Sequence, residues 1–174
     1  EQASTPILEF GKLIVQAGIP DGVVNIVTGH GDPCGKSLTS HPKVARISFT
    51  GGPGAAKHVL YNSAENFAEV SLELGGKNPN IIFDDCDFEE AMKTTLKSSF
   101  SNNGQICLCG SRIYVQRGIY NKFKEEFVRK TSYYKVGNPL KESTDLGAIS
   151  SYAHWDKVLK HIEVAKDEGG KILV

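Results

Sequence analysis

The sequence has 174 residues, 40% of them hydrophobic and 23% charged, which is typical of an ordinary globular protein. Its formal net charge is zero at pH 7, so charge gives no reason to expect nucleic acid or an anionic membrane as a partner. The longest apolar runs fall far short of the roughly 20 residues that cross a bilayer. Small neutral or anionic ligands are therefore the class of partner that these properties leave open.

Cysteine usage and the chain ends carry two further expectations. Four cysteines are spaced too irregularly for a disulfide framework or a paired zinc site, so we predict reduced thiols, a cytoplasmic location and no metal centre. They are Cys34, Cys86, Cys107 and Cys109. The chain starts at Glu1 without a signal-like segment, and residues 171–174 predict a strand that begins as the sequence stops. We accordingly expect a piece of a longer protein.

Helical and extended patterns alternate along the first part of the chain, which predicts an α/β fold with parallel strands and crossover helices. Apolar residues three and four positions apart over residues 7–14 predict a first helix, and Gly18 ends it. Two β-branched runs, residues 23–27 and 45–49, predict strands.

The next segment predicts a turn between a strand and a helix. Pro53 suits the first turn of a helix, so Gly51 and Gly52 occupy the turn that precedes it. Residues 70–74 then alternate as a strand does and break at two glycines. We place a domain boundary at that break, which divides the chain into residues 1–75 and 76–174.

The second half repeats the alternation. Residues 80–83 and 112–116 predict strands, and Asp87 followed by Glu90 resembles the capping box at the start of a helix. Two more helices are predicted from apolar residues on one face. These residues are Ile119, Phe123 and Phe127 on the first helix, and Trp155, Val158, Leu159 and Ile162 on the second.

Cys107 is the first candidate for chemistry. It follows a predicted helix in a glycine-bounded loop, where a thiol is exposed and lies near backbone amides that can face a developing oxyanion. Most cysteines, however, are small buried hydrophobic residues. The residues alone leave both interpretations open, and a metal site at Cys107 and Cys109 lacks the second pair of ligands that zinc requires.

Glu73 is the second candidate. A carboxylate between Leu72 and Leu74 is costly to bury unless it is paired, protonated or used in chemistry, for instance as a general base. Alternation with a period of two equally allows Glu73 to point to water. The pattern does not decide between these orientations.

Glycines after the first two predicted strands form a third feature. Gly31, and the pair Gly51 and Gly52, could direct free amides towards the phosphates of a cofactor. Neither group matches the Gly-x-Gly-x-x-Gly dinucleotide pattern, so simple strand-to-helix turns remain an alternative.

Two motifs together resemble the aldehyde dehydrogenase superfamily. Residues 72–79 (LELGGKNP) are similar to the family's glutamate motif, and residues 104–107 (GQIC) with Ser111 and Arg112 are similar to its cysteine motif. Further similar runs are AGIP at 17–20, GVVNIV at 22–27, SFTG at 48–51 and KVGNP at 135–139. The resemblance implies part of a Rossmann-like NAD-binding domain over residues 1–75, followed by part of an α/β catalytic domain over residues 76–174.

The resemblance also implies roles for particular residues. Cys107 would attack an aldehyde to give a thiohemiacetal and then a thioester, and Glu73 would activate the water that hydrolyses the thioester. The cofactor would be NAD, with NADP as the alternative. Its binding residues would be Glu1, Gly31, Gly51, Gly52 and Leu74. The full-length protein would form a homo-oligomer, as members of this family usually do.

The sequence departs from the family at the predicted phosphate turn. The family commonly has serine after the glycine of the SFTG run and a further glycine four residues on, whereas this chain has Gly52 and Ala56. The family's oxyanion-hole asparagine, its ribose-binding lysine and its later glutamate lie outside this chain. We therefore expect the fragment alone to be inactive.

The resemblance of the second half of the chain implies a class of substrate. From Asn78 onward it is most similar to muconic semialdehyde dehydrogenases of the 2-aminomuconic and 2-hydroxymuconic forms. Two alternative functions stay open. One is a semialdehyde dehydrogenase that releases its thioester to CoA, a class that generally lacks the glutamate found here as Glu73. The other is a non-catalytic scaffold protein.

Overall fold

The computed structural model describes residues 1–174, and the chain divides into two units, Glu1–Gly75 and Gly76–Val174. The helices are α1 Ser4–Gln16, α2 Lys36–Thr39, α3 Pro53–Ala64, α4 Phe88–Phe100, α5 Tyr120–Thr131 and α6 Tyr152–Asp167. The strands are β1 Arg46–Gly51, β2 Glu69–Leu74, β3 Pro79–Ile82 and β4 Arg112–Val115. The predicted α/β class with parallel strands is confirmed. None of the helices is both long enough and apolar enough to span a membrane.

The first unit contains a parallel pair of strands connected by a helix. β1 pairs with β2 in a register that aligns Thr50 with Glu73 and Gly51 with Leu74. α3 connects the two strands and begins with Pro53 in its first turn, as predicted. The carboxyl ends of both strands therefore lie at one edge of this small sheet.

Burial in the first unit is concentrated between the sheet and α3. Ile47 of β1 and Ala56 and Val59 of α3 are buried, and Ser63 at the end of α3 satisfies its hydroxyl by donating to the carbonyl of Leu60 at 3.0 Å. Burying these aliphatic side chains supplies the hydrophobic stabilisation that holds the helix on the sheet.

The first helix is confirmed, but its apolar face is not buried within the chain. α1 ends where Gly18 adopts a left-handed conformation with φ of +78°. Gly11 allows α1 to pack closely against the side chain of Ile26, because a Cβ atom at Gly11 would lie 3.0 Å from Cδ1 of Ile26. No residue of α1 is buried.

The strand predicted at residues 23–27 is absent. This segment has no regular structure, and both Val23 and Val27 are exposed. Its β-branched composition is correct for a strand, but β1 pairs with β2 and no strand of the chain pairs with this segment. A strand without a partner leaves its backbone groups without a ladder of hydrogen bonds, so the prediction fails for lack of a neighbour.

The second unit contains another parallel pair, β3 and β4, in a register that aligns Asn80 with Ile113 and Ile82 with Val115. α4 follows β3 and begins at the predicted cap. The side chain of Asp87 accepts a hydrogen bond from the backbone N–H of Glu90 at 3.1 Å, which satisfies one of the free amides at the helix start.

The main hydrophobic core of the second unit lies between β3, α4 and α5. Met92 is fully buried and packs with Ile82, Leu96 and Phe123. Aromatic rings extend this core along α5, where Phe123 stacks on Phe127 with ring centroids 6.1 Å apart. The predicted apolar face of α5, with Ile119, Phe123 and Phe127, thus packs in or against this core.

The end of the chain departs from the prediction in one respect. α6 is present and starts at Ser151, whose hydroxyl accepts from the backbone N–H of His154 at 3.2 Å. None of its residues is buried, and Trp155 is exposed. Residues 171–174 do not form the predicted strand, because no other strand of the chain pairs with them.

The cap of α4 gives a prediction for stability. Replacing Asp87 with alanine removes the acceptor for the N–H of Glu90 and should lower the free energy of unfolding by about 1 kcal/mol. Asp87→Asn keeps an acceptor of the same length and should recover most of this loss. Urea unfolding of both variants measures the difference, and equal stability of the alanine and asparagine variants would show that the cap is not needed.

Candidate functional site

The loop that carries Cys107 connects α4 to β4. A tight turn, Ser101–Gly104, follows α4, and Asn102, Asn103 and Gly104 within it have positive φ angles of +50°, +57° and +72°. Asparagine and glycine tolerate this left-handed conformation best, which explains why α4 ends before this turn. The backbone then enters an irregular stretch up to β4.

Cys107 is exposed in this loop, whereas Cys109 is only 6% exposed. The sequence left open whether Cys107 is a buried hydrophobic residue. In the structure Cys109, and not Cys107, is the buried cysteine of the loop. The thiol of Cys109 lies 3.9 Å from the carbonyl oxygen of Ser101. The neighbours of Cys107 pack little, since Leu108 is 79% exposed. The predicted exposure of Cys107 is confirmed.

Hydrogen bonds from Asn78 fix the carbonyl groups of the loop. Nδ2 of Asn78 donates to the carbonyl oxygen of Cys107 at 2.7 Å and to that of Cys109 at 3.1 Å. The backbone N–H groups of Cys107 and Leu108 donate no hydrogen bond within the chain. The carbonyl group of Cys107 is therefore engaged, while the backbone N–H of Cys107 is free for a ligand.

The end of the loop is held at Gly110. The backbone N–H of Gly110 donates to Oγ of Ser98 at 3.0 Å, and Oγ of Ser99 donates to the carbonyl of Gly110 at 3.4 Å. A Cβ atom at Gly110 would lie 2.8 Å from Oγ of Ser98 and 3.1 Å from Cβ of Asn80. Only glycine lets the loop lie this close to both α4 and β3.

Glu73 lies near the carboxyl end of β2 with its side chain exposed. Of the two orientations that the sequence left open, the structure shows the one facing water. The strand register places Thr50 beside Glu73, and Gly51 beside Leu74. The candidate residues Gly51, Gly52, Glu73 and Leu74 therefore lie together at one edge of the first sheet.

The turn after β1 leaves helix amides without a side-chain partner. Gly52 is the N-cap of α3 and makes no capping hydrogen bond. Because Pro53 has no N–H, the amides of Gly54 and Ala55 are the donors available at this helix start. Free amides at a helix start attract anionic groups such as phosphates.

Gly31 lines a cavity of about 680 Å³ in the first unit. Its apolar walls come from α2, α3 and β1, and include Leu38, Phe49, Ala55 and Val59. Polar side chains reach its margin, among them those of Asp32, Lys36 and His58. A largely apolar cavity with a few polar groups is the usual form of a site for a small ligand.

Glu1 is not part of either group. It is exposed and precedes α1, and it lines neither the cavity beside Gly31 nor the ends of β1 and β2. The structure therefore brings together four of the candidate cofactor and catalytic residues of the first unit and gives Glu1 no contact with them.

Displaced pKa values occur away from these residues, on α5. The guanidinium of Arg129 donates to the carboxylate of Glu126 at 2.8 Å and lowers the pKa of that carboxyl. Lys130 donates to Glu89 of α4 at 3.0 Å, and this hydrogen bond raises the pKa of its ammonium group. The first pair lies within α5, and the second connects α5 with α4 at the surface. No cluster of three or more histidine, cysteine, aspartate or glutamate residues could hold a metal ion.

Sequence reasoning gave Asn78 no role of its own. It lies inside the glutamate motif, but its contact with Cys107 joins residues 29 positions apart in the sequence. The signal that could have found it is the asparagine directly before Pro79. A proline cannot donate to the strand ladder, and a side-chain amide beside it can supply donors instead.

Comparisons with known proteins agree with one another. The family model described as "Aldehyde dehydrogenase family" matches residues 1–174. The 2-aminomuconic semialdehyde dehydrogenase of Mus musculus is 48% identical over 99% of this chain and 36% of its own length. The betaine aldehyde dehydrogenase of Vibrio vulnificus is 40% identical over 99% of this chain and 35% of its length.

A solved structure is also similar. A double mutant of betaine aldehyde dehydrogenase from Staphylococcus aureus, in complex with NAD+ and with a BME-modified cysteine, gives a TM-score of 0.92 at 38% identity. The match covers 98% of this chain and 34% of that chain. The chain thus spans about a third of the length of the relatives that it matches.

The exposure of the three cysteines in the second unit predicts an order of reaction. Cys107 should react with iodoacetamide faster than Cys86, which is partly buried, and much faster than Cys109, which is buried. Peptide mass spectrometry after timed labelling of the native protein measures each rate. Labelling in urea is the control and should make the rates similar. A Cys107 that labels no faster than Cys86 in the native protein would remove the basis for calling it a nucleophile.

Proposed function

Because the chain belongs to the aldehyde dehydrogenase family, we propose that the protein containing it oxidises an aldehyde to a carboxylic acid with NAD, and that Cys107 is the nucleophile. NADP is the alternative cofactor. The observation that carries this proposal is the exposed thiol of Cys107 in a loop whose carbonyl groups are held by Asn78. We assign residues 1–75 to the cofactor-binding domain and residues 76–174 to the catalytic domain.

Cys107 forms the covalent bond to the substrate. Its thiolate adds to the carbonyl carbon of the aldehyde, and the carbonyl electron pair moves to oxygen to give a thiohemiacetal. The free N–H of Cys107 donates to this oxygen, where the negative charge develops. NAD, when bound, supplies the acceptor for the hydride that leaves the carbon. The substrate is then a thioester of Cys107.

Glu73 acts in the second half of the reaction. Its exposed carboxylate takes a proton from water. The water oxygen adds to the thioester carbon, the carbon–sulfur bond breaks, and the carboxylic acid is released with Cys107 again a thiolate. A carboxylate that faces water suits this role, because the proton it removes belongs to a water molecule.

The first unit contains features that fit a dinucleotide. The cavity beside Gly31 is largely apolar and large enough for a heteroaromatic ring system. The amides that follow Gly52 at the start of α3 suit phosphates, and Gly51 and Leu74 border the same edge of the sheet. Glu1 belongs to the proposed cofactor site through the resemblance alone.

The substrate that we propose is a semialdehyde of the 2-aminomuconic class. Identity to the 2-aminomuconic semialdehyde dehydrogenase of Mus musculus is 48%, compared with 40% to the betaine aldehyde dehydrogenase of Vibrio vulnificus. A semialdehyde of this class carries a carboxylate, whereas betaine aldehyde carries a quaternary ammonium group. The two candidate substrates therefore differ in the sign of their charge.

Replacing Glu73 with glutamine should separate the two halves of the reaction. In the full-length enzyme, the variant should release about one NADH per active site in a burst, because the thioester still forms. Steady-state turnover should then fall by about 10²- to 10⁴-fold, because water is no longer activated. Stopped-flow absorbance at 340 nm, a wavelength at which NADH absorbs and NAD does not, measures both phases.

Glu69→Gln is the matched control, because Glu69 lies on the same strand, is exposed and pairs only with Arg46 at 3.3 Å. This control should keep wild-type turnover. A burst that disappears in the Glu73 variant would contradict the assigned role. If wild-type turnover requires added CoA, the thioester is transferred rather than hydrolysed and the acylating alternative is correct.

A further inference from the structure

We infer that Asn78 is a positioning residue for Cys107, because its amide fixes the carbonyl group of the nucleophile. This inference rests on the proposed function of Cys107. Asn78 is not expected to touch the substrate. Its role would be to hold the loop so that the thiol and the backbone N–H of Cys107 keep one orientation.

A single amide group engages two carbonyl groups of the loop. Nδ2 of Asn78 lies 2.7 Å from the oxygen of Cys107 and 3.1 Å from the oxygen of Cys109. A side-chain amide has two N–H donors, so both bonds can form together. The two carbonyls must then face Asn78 at the same time, which restricts the backbone torsions on either side of Leu108.

The position of Asn78 is itself fixed by the sheet. Its carbonyl oxygen accepts from the backbone N–H of Arg112 at 3.2 Å, directly before the parallel pairing of β3 with β4 begins. Its side chain is half-buried. The amide therefore extends from a rigid strand end, and not from another mobile loop, so it can define where the carbonyl of Cys107 lies.

Other contacts hold the loop elsewhere. Ser98 and Ser99 bind Gly110, and Nδ2 of Asn103 donates to the carbonyl of Gly147 at 3.1 Å. None of these bonds reaches Cys107. Packing adds little, because Leu108 is largely exposed. Within the backbone, the N–H of Cys109 donates to the carbonyl of Ile106 at 3.0 Å and closes a turn over Cys107 and Leu108. The hydrogen bond from Asn78 is the side-chain restraint on the carbonyl of Cys107, and losing it should broaden the range of orientations of the thiol.

The test compares Asn78→Ala and Asn78→Asp in the full-length enzyme. The alanine variant should lower kcat by about tenfold to a hundredfold, the size of effect that follows from misplacing a reacting group, while the KM for NAD stays unchanged. The aspartate variant should lower kcat further, because its carboxylate oxygens would face two carbonyl oxygens without a proton to share. The rate of iodoacetamide labelling at Cys107, relative to Cys86, should fall in both variants.

Asn80→Ala is the matched control. Asn80 lies two residues after Asn78, within β3, and its amide donates to the hydroxyl of Thr95 at 3.0 Å and not to the cysteine loop. Thr95 is buried, so the control should lose stability in urea unfolding yet keep its kcat and its Cys107 labelling rate. Wild-type kcat and labelling in Asn78→Ala would overturn the inference, as would an equal loss of kcat in Asn80→Ala.

Failure of the proposed function gives a different result. In that case Cys107 of the wild-type enzyme would label no faster than Cys86, and Cys107→Ser would retain turnover. Fast labelling of wild-type Cys107 together with unchanged kinetics in Asn78→Ala would reject the positioning role alone.

Discussion

The parallel pairing of β3 with β4 is the constraint on which the cysteine loop depends. The hydrogen bond from the N–H of Arg112 to the carbonyl of Asn78 marks the start of this pairing. It places the end of the loop beside the beginning of β3, so the amide of Asn78 reaches the carbonyls of Cys107 and Cys109. The core around Met92 supports this arrangement, because α4 packs in this core and leads directly into the loop.

The first unit uses parallel pairing for a different purpose. The register of β1 with β2 brings Gly51 and Leu74 to one edge and places Glu73 one residue before it. α3 starts at the same edge with uncapped amides. In parallel sheets, ligands bind outside the carboxyl ends of the strands. At this edge β2 supplies a carboxylate and the start of α3 supplies donors for an anionic group. The fold makes this edge polar without any buried charge.

The sequence was informative where a pattern is local. The cap at Asp87, the glycine at position 18 and the proline at the start of α3 act within one helical turn, and each helix end followed from them. Residues 23–27 and 171–174 were predicted wrongly, because a strand requires a partner that composition does not reveal. The contact of Asn78 with Cys107 was missed for the same reason. Period-two alternation could not orient Glu73. It assigns residues to two faces of a strand, but it does not show which face packs against the rest of the protein and which faces water.

The covalent role of Cys107 is the central claim, and detection of the thioester tests it most directly. The full-length enzyme is mixed with NAD and 2-aminomuconic semialdehyde, or a stable analogue with the same aldehyde, and quenched in acid before hydrolysis is complete. Peptide mass spectrometry should find the acyl group on Cys107, and only when NAD is present. An acyl group on Cys109 or Cys86, or none at any time of quenching, would contradict the account.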